Sequence, residues 1–279
     1  MPALPESARR PRLIATDLDG TIVGYAHTRT GRVSPRTLAA LRTAHRAGVH
    51  VVVVTGRPLR WLAPLRAQLG DVGPMICSNG AVVVDPASGD VLASRPVPRP
   101  VVHDVAARVR ALDPTATFGA EALEGFFWEE GFSQEDLGQG TPGSLEQALP
   151  SGARVVKLMA RSQALCPDEF LAAVRAEVGD AVTTTHSAPG MSLVEISAPG
   201  VHKAATLAEL AASRGVGPAD VVAFGDMPND AEMLTWAGLG LAVADAHPSL
   251  REVADAVVGA CDDDGVAAAV ETLLQLPVR

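Results

Sequence analysis

Asp17 and Asp19 flank a single leucine in Asp17-Leu18-Asp19-Gly20-Thr21, directly after the short apolar run Leu13–Thr16. Two carboxylates this close repel each other unless a cation or a proton intervenes. Magnesium suits them, because it is a hard ion that takes carboxylate oxygens and a substrate phosphate together while keeping some of its waters. Taken alone, the segment also reads as a polar turn.

Three further segments supply groups of matching chemistry. Thr55-Gly56-Arg57 follows the valine-rich run Val49 to Val54, where a hydroxyl and a glycine-freed amide can hold a phosphoryl oxygen. A Thr-Gly pair by itself is equally a strand exit. Lys203 stands out by composition, since it and Lys157 are the only lysines in a chain that otherwise uses arginine. A compact ammonium that must neutralise a phosphoryl group and a carboxylate is a reason to keep lysine. Gly225-Asp226-Met227-Pro228-Asn229-Asp230 follows another apolar run, and Asp226 can complete the metal site that Asp17 and Asp19 begin. Asn229 and Asp230 read either as helix caps or, for Asn229, as a phosphate contact.

The elements that must position these residues follow from periodicity. The opening reads strand, helix, strand, helix, strand: Leu13 to Thr16, a helix capped by Ser34 with Pro35 at its first position, Val49 to Val54, a helix over Leu59 to Leu69, and Pro74 to Cys77. That alternation predicts parallel α/β winding, and ligands of open parallel sheets sit beyond the carboxyl ends of the strands. The rhythm then changes. A hairpin over Ala81 to Val84 and Val91 to Arg95, helices near Val101 to Leu112 and Asp168 to Val178, and strands near 117–128, 154–159, 181–185 and 192–197 give α+β character. Winding resumes from the helix at His202 through strands at Val221 and Gly240 to a last helix over Val266 to Leu274. The pattern predicts a parallel core interrupted by an α+β insert.

The bulk composition agrees. With 279 residues, 47% hydrophobic and 20% charged, the chain can bury a sizeable core. Its formal net charge of -9 and the lack of a Lys/Arg run argue against a nucleic-acid partner. An acidic protein that handles an anion must concentrate positive charge locally, and a metal ion does so. Cys77, Cys166 and Cys261 have no metal-ligand spacing and read as reduced thiols of a cytoplasmic chain. Residues 1–11 read as a short disordered tail, and no window approaches the ~18 apolar residues of a membrane span.

The four segments resemble the four motifs of the haloacid dehalogenase superfamily, and the insert's position resembles that of its Cof-type, sugar-phosphatase-like branch with a large α/β cap. The resemblance runs from Leu13 to the final helix, and Ser78-Asn79-Gly80-Ala81 leads into the cap. It implies a Rossmann-like core over 12–84 and 199–279 and a cap over 85–198 that closes over the site and contributes specificity. It implies Asp17 as nucleophile and metal ligand, and Asp19 as general acid and base that also binds metal through its main-chain carbonyl. Asp226 is then the third ligand, Asp230 stands behind the ligands, and Leu18 (backbone), Thr55, Gly56, Lys203 and Asn229 contact phosphate.

The expected activity is Mg2+-dependent hydrolysis of a small phosphorylated metabolite through a phospho-aspartate. A phosphomutase of the same superfamily and a non-catalytic phosphometabolite-binding protein are the alternatives. The substrate and the oligomeric state are not readable. Lys157 reads either as a residue that reaches substrate or as a surface residue, and Trp128, beside Phe126 and Phe127, as a core or interface anchor.

Overall fold

The structure, a computed structural model, describes residues 4–6, 8–132, 140–186 and 190–277. Within the expected disordered tail, residues 1–3 and 7 lie outside the described residues.

The chain opens with β1 (Leu13–Thr16), α1 (Pro35–Arg46), β2 (His50–Val54), α2 (Ala63–Leu69), β3 (Met75–Cys77), β4 (Val82–Val84) and β5 (Val91–Ser94). Ser34 caps α1 as expected, its side chain accepting the Thr37 N–H at 3.0 Å with Pro35 behind it. The helix expected over Leu59 to Leu69 is shorter. Leu59–Trp61 form a separate 3-10 turn and α2 begins at Ala63. Pro64 explains the difference, because proline is tolerated in the first turn of a helix but not in its interior.

The middle of the chain forms α3 (Arg99–Leu112), β6 (Thr117–Ala122), β7 (Gly125–Trp128), β8 (Thr141–Pro142), α4 (Leu145–Ala148), β9 (Val155–Arg161), α5 (Pro167–Val178), β10 (Thr183–Thr185) and β11 (Leu193–Ser197). Winding resumes with α6 (Lys203–Ser213), β12 (Val221–Gly225), α7 (Ala231–Trp236), β13 (Leu239–Ala242), α8 (Pro248–Val253), β14 (Ala256–Val257) and α9 (Gly265–Leu273). No helix among the described residues is long and apolar enough to cross a membrane.

Two compact units result. The first comprises the described residues of Met1–Arg57, Trp61–Ala93 and Lys203–Arg279. Its eight-stranded sheet has the order β14-β13-β12-β1-β2-β3-β4-β5, parallel from β14 through β3 and antiparallel from β3 to β4. β1 and β2 are wholly or almost wholly buried, which accounts for their unbroken apolar sequence. β1 lies between β2 and β12, so the winding reverses at β1 and opens a crevice beyond its carboxyl end. Register then sets the height of the functional loops. Thr16 pairs with Val53 on one side and Phe224 on the other, so the chain leaves all three strands at one level.

The second unit comprises Pro58–Arg60 and Ser94–His202. Its six-stranded sheet, β10-β11-β9-β6-β7-β8, packs α3 and α5 on one face. Alternation along the strands separates the two faces. Phe118, Ala120, Leu158, Ala160, Val194 and Ile196 meet Val105, Val109, Phe170 and Val174 of the helices. The opposite face carries Phe126, Trp128, Phe132 and Met159, which cluster together. Trp128 is thus a core anchor.

On that same face Lys157 is 2% exposed and forms an ion pair with Glu195. Glu121 stands directly opposite Lys157 and takes Arg60 at 2.8 Å, so charges alternate across three strands. The surface reading of Lys157 is therefore wrong. A buried lysine in a cross-strand pair is not distinguishable by spacing from an exposed one on a two-faced sheet.

Removing one partner of a buried pair strands the other's charge. Lys157→Ala is expected to destabilise the protein by roughly 3–5 kcal/mol, seen as a lower urea midpoint. Lys157→Met combined with Glu195→Leu should recover most of that loss. An unchanged midpoint for the single variant would show that the pair contributes nothing.

Candidate active site

Asp17 is the first residue past β1, and its N–H donates to the Phe224 carbonyl at 2.9 Å, which continues the β1–β12 ladder by one step. The chain then turns back sharply. The Leu18 carbonyl accepts N–H groups from Thr21, Ile22 and Val23, and Leu18 itself is fully buried beneath the loop. Gly20 at φ +83° permits the turn, and a Cβ there would lie 2.1 Å from an Asp226 oxygen. The acidic loop is thereby pressed against the loop that follows β12.

Lys203 begins α6 and brings its ammonium between two carboxylates. Its Nζ donates to Asp17 Oδ1 at 2.5 Å and to Asp230 Oδ1 at 2.7 Å, with all three side chains nearly or wholly buried. Asp230 reaches back with its other oxygen to accept the N–H groups of Asp226 and Met227, both at 3.1 Å. It makes no forward capping bond into α7, but its bond to the Met227 N–H caps the 3-10 turn Pro228–Asp230 from behind, so Asp230 both caps that turn and braces the loop and Lys203. Asp226 receives the Thr21 hydroxyl at 3.3 Å on Oδ1 and the Tyr25 hydroxyl on Oδ2. Thr21 also lies 3.3 Å from Asp17 Oδ2.

The electrostatics follow from burial. Asp17 is held well above the usual carboxylate range by loss of water, with Lys203 opposing the shift. Asp226 is pushed up to about 7, first by burial and then by the charge of Asp230. Burial works against the charge on Lys203, but the two carboxylates outweigh it and hold the proton on. Burial, then the bond to Asp226, raises the Tyr25 phenol. Asp17, Asp226 and Asp230 each offer a ligand oxygen, and these lie within 4.8 Å of one another.

Asp19 takes a different direction. Its carboxylate is clasped by Arg57, with Nη2 at 2.5 Å and Nε at 2.7 Å, and Arg57 also donates to the Thr28 carbonyl. The guanidinium is nearly buried whereas Asp19 keeps about a quarter of its side-chain surface exposed, at 24%. The Thr55 hydroxyl accepts the Arg57 N–H at 3.0 Å, which shapes the exit of β2. That exit is in turn held by the turn after β3. Ser78 N–H donates to the Arg57 carbonyl and Asn79 N–H to the Thr55 carbonyl. Ser78 and Asn79 both adopt left-handed backbone, φ +51° and +54°, and both are buried. Asn79 Oδ1 accepts from Asn229 Nδ2 at 3.3 Å, so Asn229 pairs across the crevice instead of capping its own helix. The contacts run as a ring from Asp17 through Lys203 and Asp230 to Asn229, Asn79, the Thr55 loop, Arg57 and Asp19.

The structure thus brings together Asp17, Lys203, Asp226 and Asp230, and links Asp19, Thr55, Gly56 and Asn229 to them through this ring. Four contributors had no assigned role in the sequence. Arg57 was visible as the third residue of its segment, Thr21 as the fifth of the acidic loop, and Asn79 in the lead-in to the insert. Tyr25 had one available signal, that it is the only tyrosine in the chain.

Comparison with known proteins gives the chain's family. The haloacid dehalogenase-like hydrolase family matches residues 14–270. A phosphoglycolate phosphatase of Methanothermobacter thermautotrophicus is 30% identical over 265 residues, covering 94% of this chain and 99% of its own. The 5-amino-6-(5-phospho-D-ribitylamino)uracil phosphatase YitU of Bacillus subtilis is 28% identical, covering 92% of this chain and 96% of its own. The crystal structure of SMU.1108c from Streptococcus mutans superposes with a TM-score of 0.80 at 21% identity, covering 95% and 99% of the two chains, and so shares the fold. On the match across nearly its whole length, the chain belongs to the haloacid dehalogenase-like hydrolases, in the Cof-type branch that the position of its insert resembles.

Proposed function

We propose that this protein is a Mg2+-dependent phosphatase that hydrolyses a small phosphorylated metabolite through a phospho-aspartate at Asp17. The observation that carries the reading is the charge imbalance at the end of β1: the buried carboxylates of Asp17, Asp226 and Asp230 lie close together with one ammonium, Lys203, which reaches Asp17 and Asp230 but not Asp226. The donor set fits a hard divalent cation. It is made of oxygens alone, it is short of positive charge, and its ligand atoms lie close together. Asp230 is engaged by Lys203 and two main-chain N–H groups, which leaves Asp17 and Asp226, with the Asp19 carbonyl that the family resemblance implies, to hold the ion. When bound, the ion neutralises charge on the phosphoryl oxygens.

The chain's own groups then divide the work. An Asp17 oxygen attacks phosphorus as the ester P–O bond breaks, and Lys203 stabilises charge on the transferring group. Asp19 gives its proton to the leaving alkoxide, then takes one from the water that opens the aspartyl phosphate, releasing inorganic phosphate and restoring the Asp17 carboxylate. Arg57 holds Asp19 in a two-point grip, so delivery of a proton requires one of those contacts to open. The relatives' names specify phosphoglycolate and a phosphoribitylamino-substituted uracil, which supports a small phosphate monoester as the substrate here. By the same resemblance, the unit expected over 12–84 and 199–279 acts as the catalytic core and the insert expected over 85–198 as the cap that selects the substrate; the compact units move the insert's bounds to Ser94 and His202, because the hairpin strand β5 joins the core sheet. The three free cysteines support a reducing, cytoplasmic location.

Asp17→Asn should lower turnover of a responsive phosphate ester by about three orders of magnitude or more while the far-UV spectrum stays unchanged. Chelation should abolish wild-type turnover, and added Mg2+ should restore it. Retained hydrolysis by pure Asp17→Asn protein would rule out the mechanism. Arg57→Lys keeps the charge but loses the fork. It should cut kcat roughly 10–100-fold, a fraction of the general acid–base contribution, without altering Mg2+ affinity.

A further inference from the structure

Asp226 is gripped on both oxygens, and the two grips differ in kind. Thr21, part of the acidic loop, bridges Asp226 Oδ1 and Asp17 Oδ2 at 3.3 Å each, so these two oxygens face a common point. The other oxygen belongs to Tyr25. This residue lies in the short 3-10 turn Tyr25–His27 and is 53% exposed. A half-exposed tyrosine ordinarily keeps its ring against the protein and turns its hydroxyl to water. Here the hydroxyl points the other way, onto a carboxylate that is only 3% exposed.

Gly20 makes the approach possible. A Cβ at that position would lie 2.1 Å from Asp226 Oδ2 and 2.7 Å from Tyr25 Cζ, so the ring tip and the carboxylate share the space that the glycine leaves. The chemistry of the donor is also selective. A phenol satisfies one carboxylate oxygen without neutralising the charge, whereas lysine or arginine at that position would compete with a cation. Groups that hydrogen-bond a metal-ligating carboxylate fix its orientation, and losing one typically costs about 10–100-fold in metal affinity.

We propose that Tyr25 is a positioning residue for the cation site: its hydroxyl fixes the rotation of the Asp226 carboxylate, turns Oδ1 toward Asp17, and so sets the affinity for the divalent ion. The proposal rests on the reading that Asp226 is a ligand of that ion. It adds a residue outside the four motif segments, drawn from the turn that follows the acidic loop.

The test uses Mg2+ alone as the probe, with two readouts. In isothermal titration calorimetry, Tyr25→Phe, which removes only the hydroxyl, should raise the Mg2+ Kd about 10-fold. Its kcat, depressed at low Mg2+, should climb back toward the wild-type value as Mg2+ is raised, and that Mg2+-dependent recovery separates loss of ion affinity from general damage. The second readout needs no substitution. Because Tyr25 is the only tyrosine, fluorotyrosine labelling of the full chain gives one 19F resonance, and Mg2+ should shift it. Equal Mg2+ affinity in wild type and Tyr25→Phe, or a 19F resonance unmoved at saturating Mg2+, overturns the role of Tyr25 while leaving the cation site intact. A wild-type protein that binds no Mg2+ overturns both.

Discussion

Three buried carboxylates around one ammonium set the terms for the rest of this molecule. Removing such groups from water is costly, and their mutual repulsion adds to the cost unless geometry compensates. The compensation is visible atom by atom. Lys203 spans Asp17 and Asp230, main-chain N–H groups take the free oxygen of Asp230, and hydroxyls of Thr21 and Tyr25 take Asp226. What these contacts leave uncompensated is net negative charge, and on the proposed reading that residue of charge draws a cation to the crevice and, through it, phosphate.

The parallel sheet exists in this arrangement to hold that cluster together. β1 lies between β2 and β12 and hands its chain to the crevice at the same level as both neighbours, so loops distant in sequence meet without long connections. Rigidity comes from the backbone, since the β2 exit is pinned by two N–H groups from the left-handed turn at Ser78 and Asn79. Left-handed backbone at two successive non-glycine residues is unfavourable in isolation. It persists here within a buried hydrogen-bonded ring that needs Asn79 to face Asn229.

Much of this was legible in the sequence, for identifiable reasons. The parallel core announced itself through apolar runs that end abruptly in polar residues, because strands buried on both faces leave no alternation to confuse the reading. Lys203 was legible because arginine supplies nearly all other cations, so its chemistry had to be specific to its place. The inward role of Asp230 came only with the family resemblance, since an aspartate at a helix start is a cap by default. The Arg57 grip on Asp19 and the Asn79–Asn229 pair were hidden for another reason. Both span loops whose separation depends on sheet order, and local propensity carries no information about that. Lys157 shows the same limit in the second unit: periodicity assigns a face but not whether that face is covered.

The position of Lys203 at the first residue after the second unit has a consequence for biosynthesis. The acidic loop and its ammonium are 186 residues apart. At translation rates of about 5–20 residues per second, Asp17 leaves the ribosome roughly 10–40 s before Lys203 does. During that interval the growing chain carries an acidic loop without its counter-charge, at the end of a strand that still lacks its neighbour β12. The inserted unit, continuous from Ser94 to His202 apart from three residues, has all its partners first. Order of synthesis therefore favours a finished insert on an unfinished core, and the core closes only when the helix that begins with Lys203 arrives.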